Sequence, residues 1–248
     1  MKLLIDIGNT NTSIAVIGKN EKIKKRYFIH TGKSEVRAEA LKRLIGEDLI
    51  EVDSICIVSV VPEFLGLIKK NLKRIALKVP ILVIGKDIKV PMIVKYKNPS
   101  EVGQDRLVVS FAARRLVGTP LIVVDFGTAV TFDFVNSLGE YAGGLIFPGL
   151  RLALESLIKG AALLPKVTIK ASKGILGKDT KSSINKGILL GYAAVCDNFI
   201  KRLKDKYGHK TKVVATGGDA GLVSKYSHEI KRVYPDLIFT GLNYLSRS

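Results

Sequence analysis

Two short segments of this chain share a chemistry. Asp6-Ile7-Gly8-Asn9-Thr10-Asn11-Thr12-Ser13 and Asp125-Phe126-Gly127-Thr128-Ala129-Val130-Thr131 each end an apolar run in an acid, place a glycine two residues later, and follow it with hydroxyl or amide side chains. Glycine lets backbone approach a ligand closely, and exposed N–H groups with Asn, Thr and Ser side chains donate to phosphate oxygens. An acid at a strand end suits Mg2+ held through water. Alone, the first segment reads equally well as an ordinary Asn/Gly hairpin. The repetition shifts that balance, because two opposed turns can grip a polyphosphate from both sides. Thr216-Gly217-Gly218-Asp219-Ala220-Gly221 follows a β-branched run and opens a helix, where backbone can pack flat against a base or ribose. By itself it is a simple strand-to-helix turn. Asp105-Arg106 sets a proton acceptor beside a guanidinium able to hold both oxygens of a carboxylate. Without other context, a surface ion pair at a helix start is the better explanation of that dipeptide.

The pattern of apolar residues supplies the elements that position these groups. Residues 2–7, 55–61, 81–84, 121–125 and 213–215 predict buried strands. Residues 12–17, 22–29 and 129–135 predict further strands, and 138–147 continues the second meander. Helical spacing covers 34–45, with Ser34 as its N-cap, and 62–77, 102–117, 150–159, 183–206 and 236–245. The acids of the two turns lie 125 − 6 = 119 positions apart, close to half of the 248 residues. A duplicated strand–turn–strand unit predicts an α/β chain of two similar domains facing one another, 1–115 and 116–248, each a mixed sheet flanked by helices.

Composition narrows the function classes. Hydrophobic content of 47% with 25% charged residues is a globular balance. No apolar run reaches the roughly 18 to 20 residues that cross a bilayer. Asp6 interrupts the stretch where a signal peptide keeps its apolar core, so a cytoplasmic location is expected. Cys56 and Cys196 sit in apolar patterns and read as reduced, buried thiols. The histidines His30, His209 and His228 are scattered, and no metal-ligand spacing of His or Cys occurs. Net charge is 40 − 22 = +18, but the basic runs at 22–26, 69–74 and 201–206 lack interleaved aromatics and the chain has no Trp. A specific nucleic-acid partner is therefore not expected, and no membrane partner either.

Phosphate turn, phosphate turn, Gly-Gly turn is the order found in actin-like ATPases. Within them the sequence resembles the type III pantothenate kinases, a family that includes the Bvg accessory factor-like proteins. The resemblance is carried by the opening turn, by Ser59-Val60-Val61-Pro62, and by the stretch from Tyr96-Lys97-Asn98-Pro99 to Gly103-Gln104-Asp105-Arg106. It continues through Asp125 to Asp133, Gly143-Gly144 to Pro148-Gly149, Leu164-Pro165, Gly177-Lys178-Asp179-Thr180 and Thr216-Gly217-Gly218. The Asn-Pro…Gly-x-Asp-Arg stretch is the most specific. The resemblance implies duplicated ribonuclease H-like (actin-like ATPase) domains and ATP-dependent phosphorylation of pantothenate, the first step of coenzyme A biosynthesis. It implies Asp105 as general base, Arg106 on the pantothenate carboxylate, Tyr96, Gly103 and Gln104 in that pocket, and Thr180 as a further substrate donor. It assigns Asp6, Ile7, Gly8, Asn9, Thr10, Asn11, Thr12 and Ser13 to the ATP phosphates, with Asp6 holding Mg2+ through water. Gly127 and Thr128 would meet phosphate from the second turn, Gly217 and Gly218 the adenosine, and Asp125 a monovalent cation, potassium or ammonium. A homodimer is implied as well. One departure stands out: where relatives carry Thr-Ala-x-Leu-Pro, this chain has Ala161-Ala162-Leu163-Leu164-Pro165, which removes one substrate-facing hydroxyl. A regulatory accessory factor of the same family and a kinase for another small alcohol remain open alternatives.

Overall fold

The computed structural model describes residues 1–32, 38–76 and 78–247, so the N-cap expected at Ser34 lies outside the described residues. The elements in chain order are β1 (Lys2–Ile7), β2 (Asn11–Ile17), β3 (Ile23–His30), α1 (Ala38–Leu49), β4 (Ser54–Ser59), α2 (Pro62–Ile75) and β5 (Ile81–Val83). After a short 3-10 turn at Pro99–Glu101 come α3 (Gln104–Val117), β6 (Leu121–Phe126), β7 (Ala129–Val135), β8 (Tyr141–Pro148) and α4 (Leu150–Gly160). The chain closes with α5 (Thr180–Tyr207), β9 (Lys212–Gly217), α6 (Ala220–Val223) and α7 (Leu237–Leu245). Two compact units result. One comprises Met1–Met92, Asn98–Ala112 and Leu237–Ser248, the other Ile93–Lys97 and Ala113–Asp236.

In the first unit the strands run in the order β3-β2-β1-β4-β5, with β1 antiparallel to β2 and parallel to β4. Successive side chains on a strand point to opposite faces. Leu3, Ile5 and Ile7 of β1 therefore join Ile55 and Ile57 of β4 under α1 and α2, which contribute Leu41, Ile45, Phe64 and Ile68. Leu4, Cys56 and Val58 face the other way, against Val108 and Phe111 of α3 and Phe239 and Leu242 of α7. Burial on both faces explains why β1 and β4 read as apolar runs rather than as alternations.

The second unit repeats the order as β8-β7-β6-β9, again antiparallel between the first two strands of the repeat, β6 and β7, and parallel between β6 and β9. A single parallel bridge from Ala215 to Val233 marks the place that β5 fills in the first sheet. Both sheets thus follow one duplicated, ribonuclease H-like plan of mixed strands flanked by helices. Ile122, Val124, Phe126, Val130 and Phe132 pack beneath Leu189, Ala193 and Cys196 of α5.

Two differences from the sequence expectation have plain causes. The final helix groups with the first unit, whereas the sequence pattern runs the second domain to residue 248. An amphipathic helix shows that it must bury one face but not which sheet receives it; α7 buries Leu237, Leu242 and Leu245. Its Gly241 lets it touch α3, since a Cβ there would lie 2.6 Å from Val108 Cγ1 and from Val108 O. Helix α5 starts at Thr180 rather than 183, because Asp179 accepts from Ser182 N (2.9 Å) and completes a capping box with the Ser182 hydroxyl. Among the described residues no helix is long and apolar enough to cross a membrane. Cys56 and Cys196 are buried free thiols, and desolvation pushes both up to about 12.

Candidate active site

Asp6 and Asp125 occupy matching places, each one residue before the end of a central strand. Asp6 pairs in register with Ser13 on β2, and Asp125 with Thr131 on β7, so each acid shares a sheet face with a hydroxyl. The turns differ by one residue: Gly8-Asn9-Thr10 separates β1 from β2, whereas only Gly127-Thr128 separates β6 from β7. Both close the same way, with Gly8 N donating to Asn11 O (3.1 Å) and Gly127 N to Ala129 O (3.1 Å). In the first turn Asn9, Thr10 and Asn11 are exposed, and Asp6, Gly8 and Ser13 are half-buried. Ile7 and Thr12 point inward. The Thr12 hydroxyl is hydrogen-bonded to that of Thr31 (2.9 Å), so the side chain of Thr12 serves the fold.

The first turn of α3 carries Asp105 and Arg106, led in by Asn98, whose side-chain amide donates to Glu101 Oε1 (2.6 Å) across the 3-10 turn. Asp105 Oδ1 accepts from Arg106 N at 2.8 Å. The carboxylate also leans over Gly103, where a Cβ would come within 2.4 Å of Asp105 Oδ1. Glycine at 103 is thus the residue that leaves the acid room. Gln104 lies in turn over Gly85, whose Cβ would meet Gln104 Cδ at 2.8 Å. Burial raises the pKa of Asp105, against the opposing pull of the Arg106 N–H and guanidinium. A carboxylate so placed is a stronger proton acceptor than a solvated one.

In the second unit the Gly-Gly turn closes on Asp125. Gly217 has φ +91°, and a Cβ there would lie 2.5 Å from Asp125 Oδ1 and 2.5 Å from Phe126 O. Gly149 packs on the second turn, its N donating to Thr128 O at 3.0 Å. A Cβ at Gly149 would come within 2.4 Å of that same oxygen. Two residues on, Arg151 pairs with buried Asp219 (3.0 Å) beside the Gly-Gly turn. Tyr96 is half-buried against Tyr141, with ring centroids 6.3 Å apart. Thr180 is exposed at the first position of α5. The Arg151–Asp219 pair and the surroundings of Tyr96 escaped sequence reading. The one signal for the latter was Asp133, an acid inside the apolar run of β7.

The geometry is that of a duplicated mixed-sheet fold with a half-buried acid beside an arginine. The profile of the family described as type III pantothenate kinase matches residues 2–202. A type III pantothenate kinase of Sulfurihydrogenibium sp. (strain YO3AOP1) is 39% identical over 253 residues, covering 100% of both chains. One from Geobacillus sp. (strain WCH70) is 38% identical, covering 99% of this chain and 96% of its own. Among solved structures, a Campylobacter jejuni protein provisionally described as a Baf family transcriptional activator aligns over 99% of this chain and 97% of its own, with TM-score 0.60 and 20% identity. A ROK family glucokinase from Streptomyces griseus, solved with glucose and AMPPNP, aligns over 100% and 99% with TM-score 0.52 and 11% identity. At such identities these two speak for the fold alone. With a family profile spanning most of the chain and relatives near 39% identity along all of it, the chain belongs to the type III pantothenate kinase family.

Proposed function

We infer that this chain transfers the γ-phosphoryl group of ATP to the primary hydroxyl of pantothenate, the first step of coenzyme A biosynthesis. The observation that carries this reading is Asp105, desolvated and adjacent to Arg106 on α3, in a chain that matches pantothenate kinases along its whole length. Arg106 is assigned to the pantothenate carboxylate, and Tyr96, Gly103, Gln104 and Thr180 to further contacts with the same substrate. Asp105 takes the hydroxyl proton as the hydroxyl oxygen bonds to the γ-phosphorus. The bond to the β–γ bridging oxygen breaks, and ADP leaves with that electron pair. An uncharged sugar would give Arg106 nothing to bind, which favours pantothenate over other alcohols.

The first turn, Asp6 to Ser13, and the Gly127-Thr128 turn receive the ATP phosphates, and Gly217-Gly218 the adenosine. Asp6, at a strand end with a hydroxyl opposite and exposed donors beyond it, fits Mg2+ bound through one carboxylate, water and phosphate oxygens. When bound, Mg2+ neutralises charge on the transferring phosphates. Asp125, backed by bare Gly217, fits a monovalent cation that prefers oxygen donors.

The test is ADP release from purified protein with ATP and Mg2+, with and without pantothenate, in potassium or sodium salt. Turnover that requires pantothenate and is faster in potassium is expected. Turnover with pantetheine or a hexose but none with pantothenate would sink the assignment.

A homodimer in the cytoplasm is part of the same reading. Leu152 and Leu157 of α4, and Leu163, Ile175 and Leu176 beyond it, are exposed, Leu163 at 97%. A second copy covering such an apolar group would remove it from water. Light scattering should give twice 27.0 kDa, and Leu152→Lys with Leu157→Lys should shift the mass to one chain. A single-chain mass for the unaltered protein would overturn the dimer.

A further inference from the structure

Tyr96 is not held by its own segment, which has no regular structure of its own. It is held by β7 and β8. Tyr141 N donates to Ile93 O (2.8 Å) and Lys95 N donates to Tyr141 O (2.8 Å), so residues 93–95 add to the start of β8 as a short parallel strand. Lys95 is tied to Glu140 (3.3 Å), and Glu140 in turn accepts from the Asn136 amide (2.9 Å). The Tyr96 ring then lies against the Tyr141 ring on one side. On another it lies above Gly143, where a Cβ would sit 3.9 Å from Tyr96 Cε2.

Tyr141 is itself anchored. It is fully buried, and its hydroxyl donates to Asp133 Oδ1 at 2.6 Å. Asp133 is 1% exposed, and its Oδ2 accepts from the Thr131 hydroxyl at 3.1 Å. A carboxylate in an otherwise apolar strand is costly to bury, and a Phe–Val pair would fill the same space. What the acid adds is direction: a short, charge-assisted bond fixes where the Tyr141 ring points. The Thr131 that supports it stands opposite Asp125 in the ladder, so the array occupies the same sheet face as that acid.

We propose that Tyr141, anchored by Asp133, is a positioning residue that sets the Tyr96 ring in the acceptor-substrate pocket and so governs affinity for pantothenate. This rests on the reading of Tyr96 as a pocket residue. Tyr141→Phe keeps the packing volume and removes only the anchoring bond. It should raise the KM for pantothenate about fivefold, the scale of one lost hydrogen bond, with kcat and the KM for ATP unchanged within about twofold. The decisive arm is the cycle with Tyr96→Ala. In that background Tyr141→Phe should have no further effect on pantothenate, because the ring it positions is gone. Asp133→Asn weakens the same bond from the other end and carries the test if Tyr141→Phe does not fold. A smaller, equally selective rise is expected of it, again absent in the Tyr96→Ala background. A change shared by both substrates, or one that persists undiminished in the Tyr96→Ala background, would mark Tyr141 as a core residue only and overturn the proposal. If Tyr96→Ala itself leaves the pantothenate KM unaltered, the pocket reading of Tyr96 fails first, and the inference falls with it.

Discussion

Asp105→Asn should lower kcat by about 10²- to 10⁴-fold, the range a positioned general base contributes, with the KM for ATP within about twofold of the parent. The amide keeps shape and hydrogen-bonding reach but cannot take the hydroxyl proton. Two further readings separate a lost base from a damaged fold. Burial raises the carboxyl pKa in the folded protein. Between the unfolded value, about 3.9, and that raised value, the folded state holds the proton more tightly than the unfolded one. Stability therefore falls as pH rises through this window, and ionised Asp105 weakens the fold at neutral pH. The Asn variant should accordingly unfold at the same temperature or higher. For the same reason the acid limb of kcat/KM in the parent should lie above the ordinary aspartate range, since the base must be ionised to act. An acid limb at or below about pH 4, or a variant retaining more than a tenth of the parent kcat, would count against Asp105 as the base.

Gly217→Ala should damage the second unit's fold severely, while Gly218→Ala next to it should leave folding intact. At 217 the backbone has φ +91°, and the new carbon would meet Asp125 Oδ1 and Phe126 O at 2.5 Å and Phe126 N at 2.6 Å. Two of those three atoms are backbone of the central strand and cannot swing aside. Left-handed strain and overpacking together should cost about 2–5 kcal/mol, a large part of the 5–15 kcal/mol that typically holds a domain folded. Any protein that does fold should have Asp125 displaced and turn over with less dependence on potassium. At 218 nothing lies within 4 Å of the added carbon, so the change should be neutral or slightly stabilising. Thermal unfolding of the two variants side by side is the check, and similar losses in both would contradict the packing described.

The elements that place these groups were legible where local pattern and burial agree. The run Leu3-Leu4-Ile5 could only be a strand covered on both faces, and Pro62 could only open a helix. Asp-x-Gly at half-chain spacing foretold a duplicated sheet, and the two sheets share one strand order, β3-β2-β1-β4 matching β8-β7-β6-β9. What stayed hidden depended on register and partner. The second turn is one residue shorter than the first, so the exposed amides and hydroxyl at 9–11 have no full counterpart at 127–128; only the ladder pairings reveal it. The bridge at Val233 is too short to leave a pattern. Asp133 interrupts the apolar run of β7, but its meaning lies in Tyr141, eight residues away on the next strand.

The placement of α7 also has a consequence for how the chain is made. Helix α7 follows the whole second unit in the chain, yet it completes the core of the first sheet. While residues 113–236 emerge and can close a core of their own, one face of the earlier sheet waits. Leu4, Cys56, Val58 and Phe111 lack the cover that Phe239, Leu242 and Leu245 will bring. Until α7 emerges the nascent protein thus carries an open apolar surface of the kind that chaperones hold and aggregates recruit. A chain interrupted before α7 keeps that surface exposed.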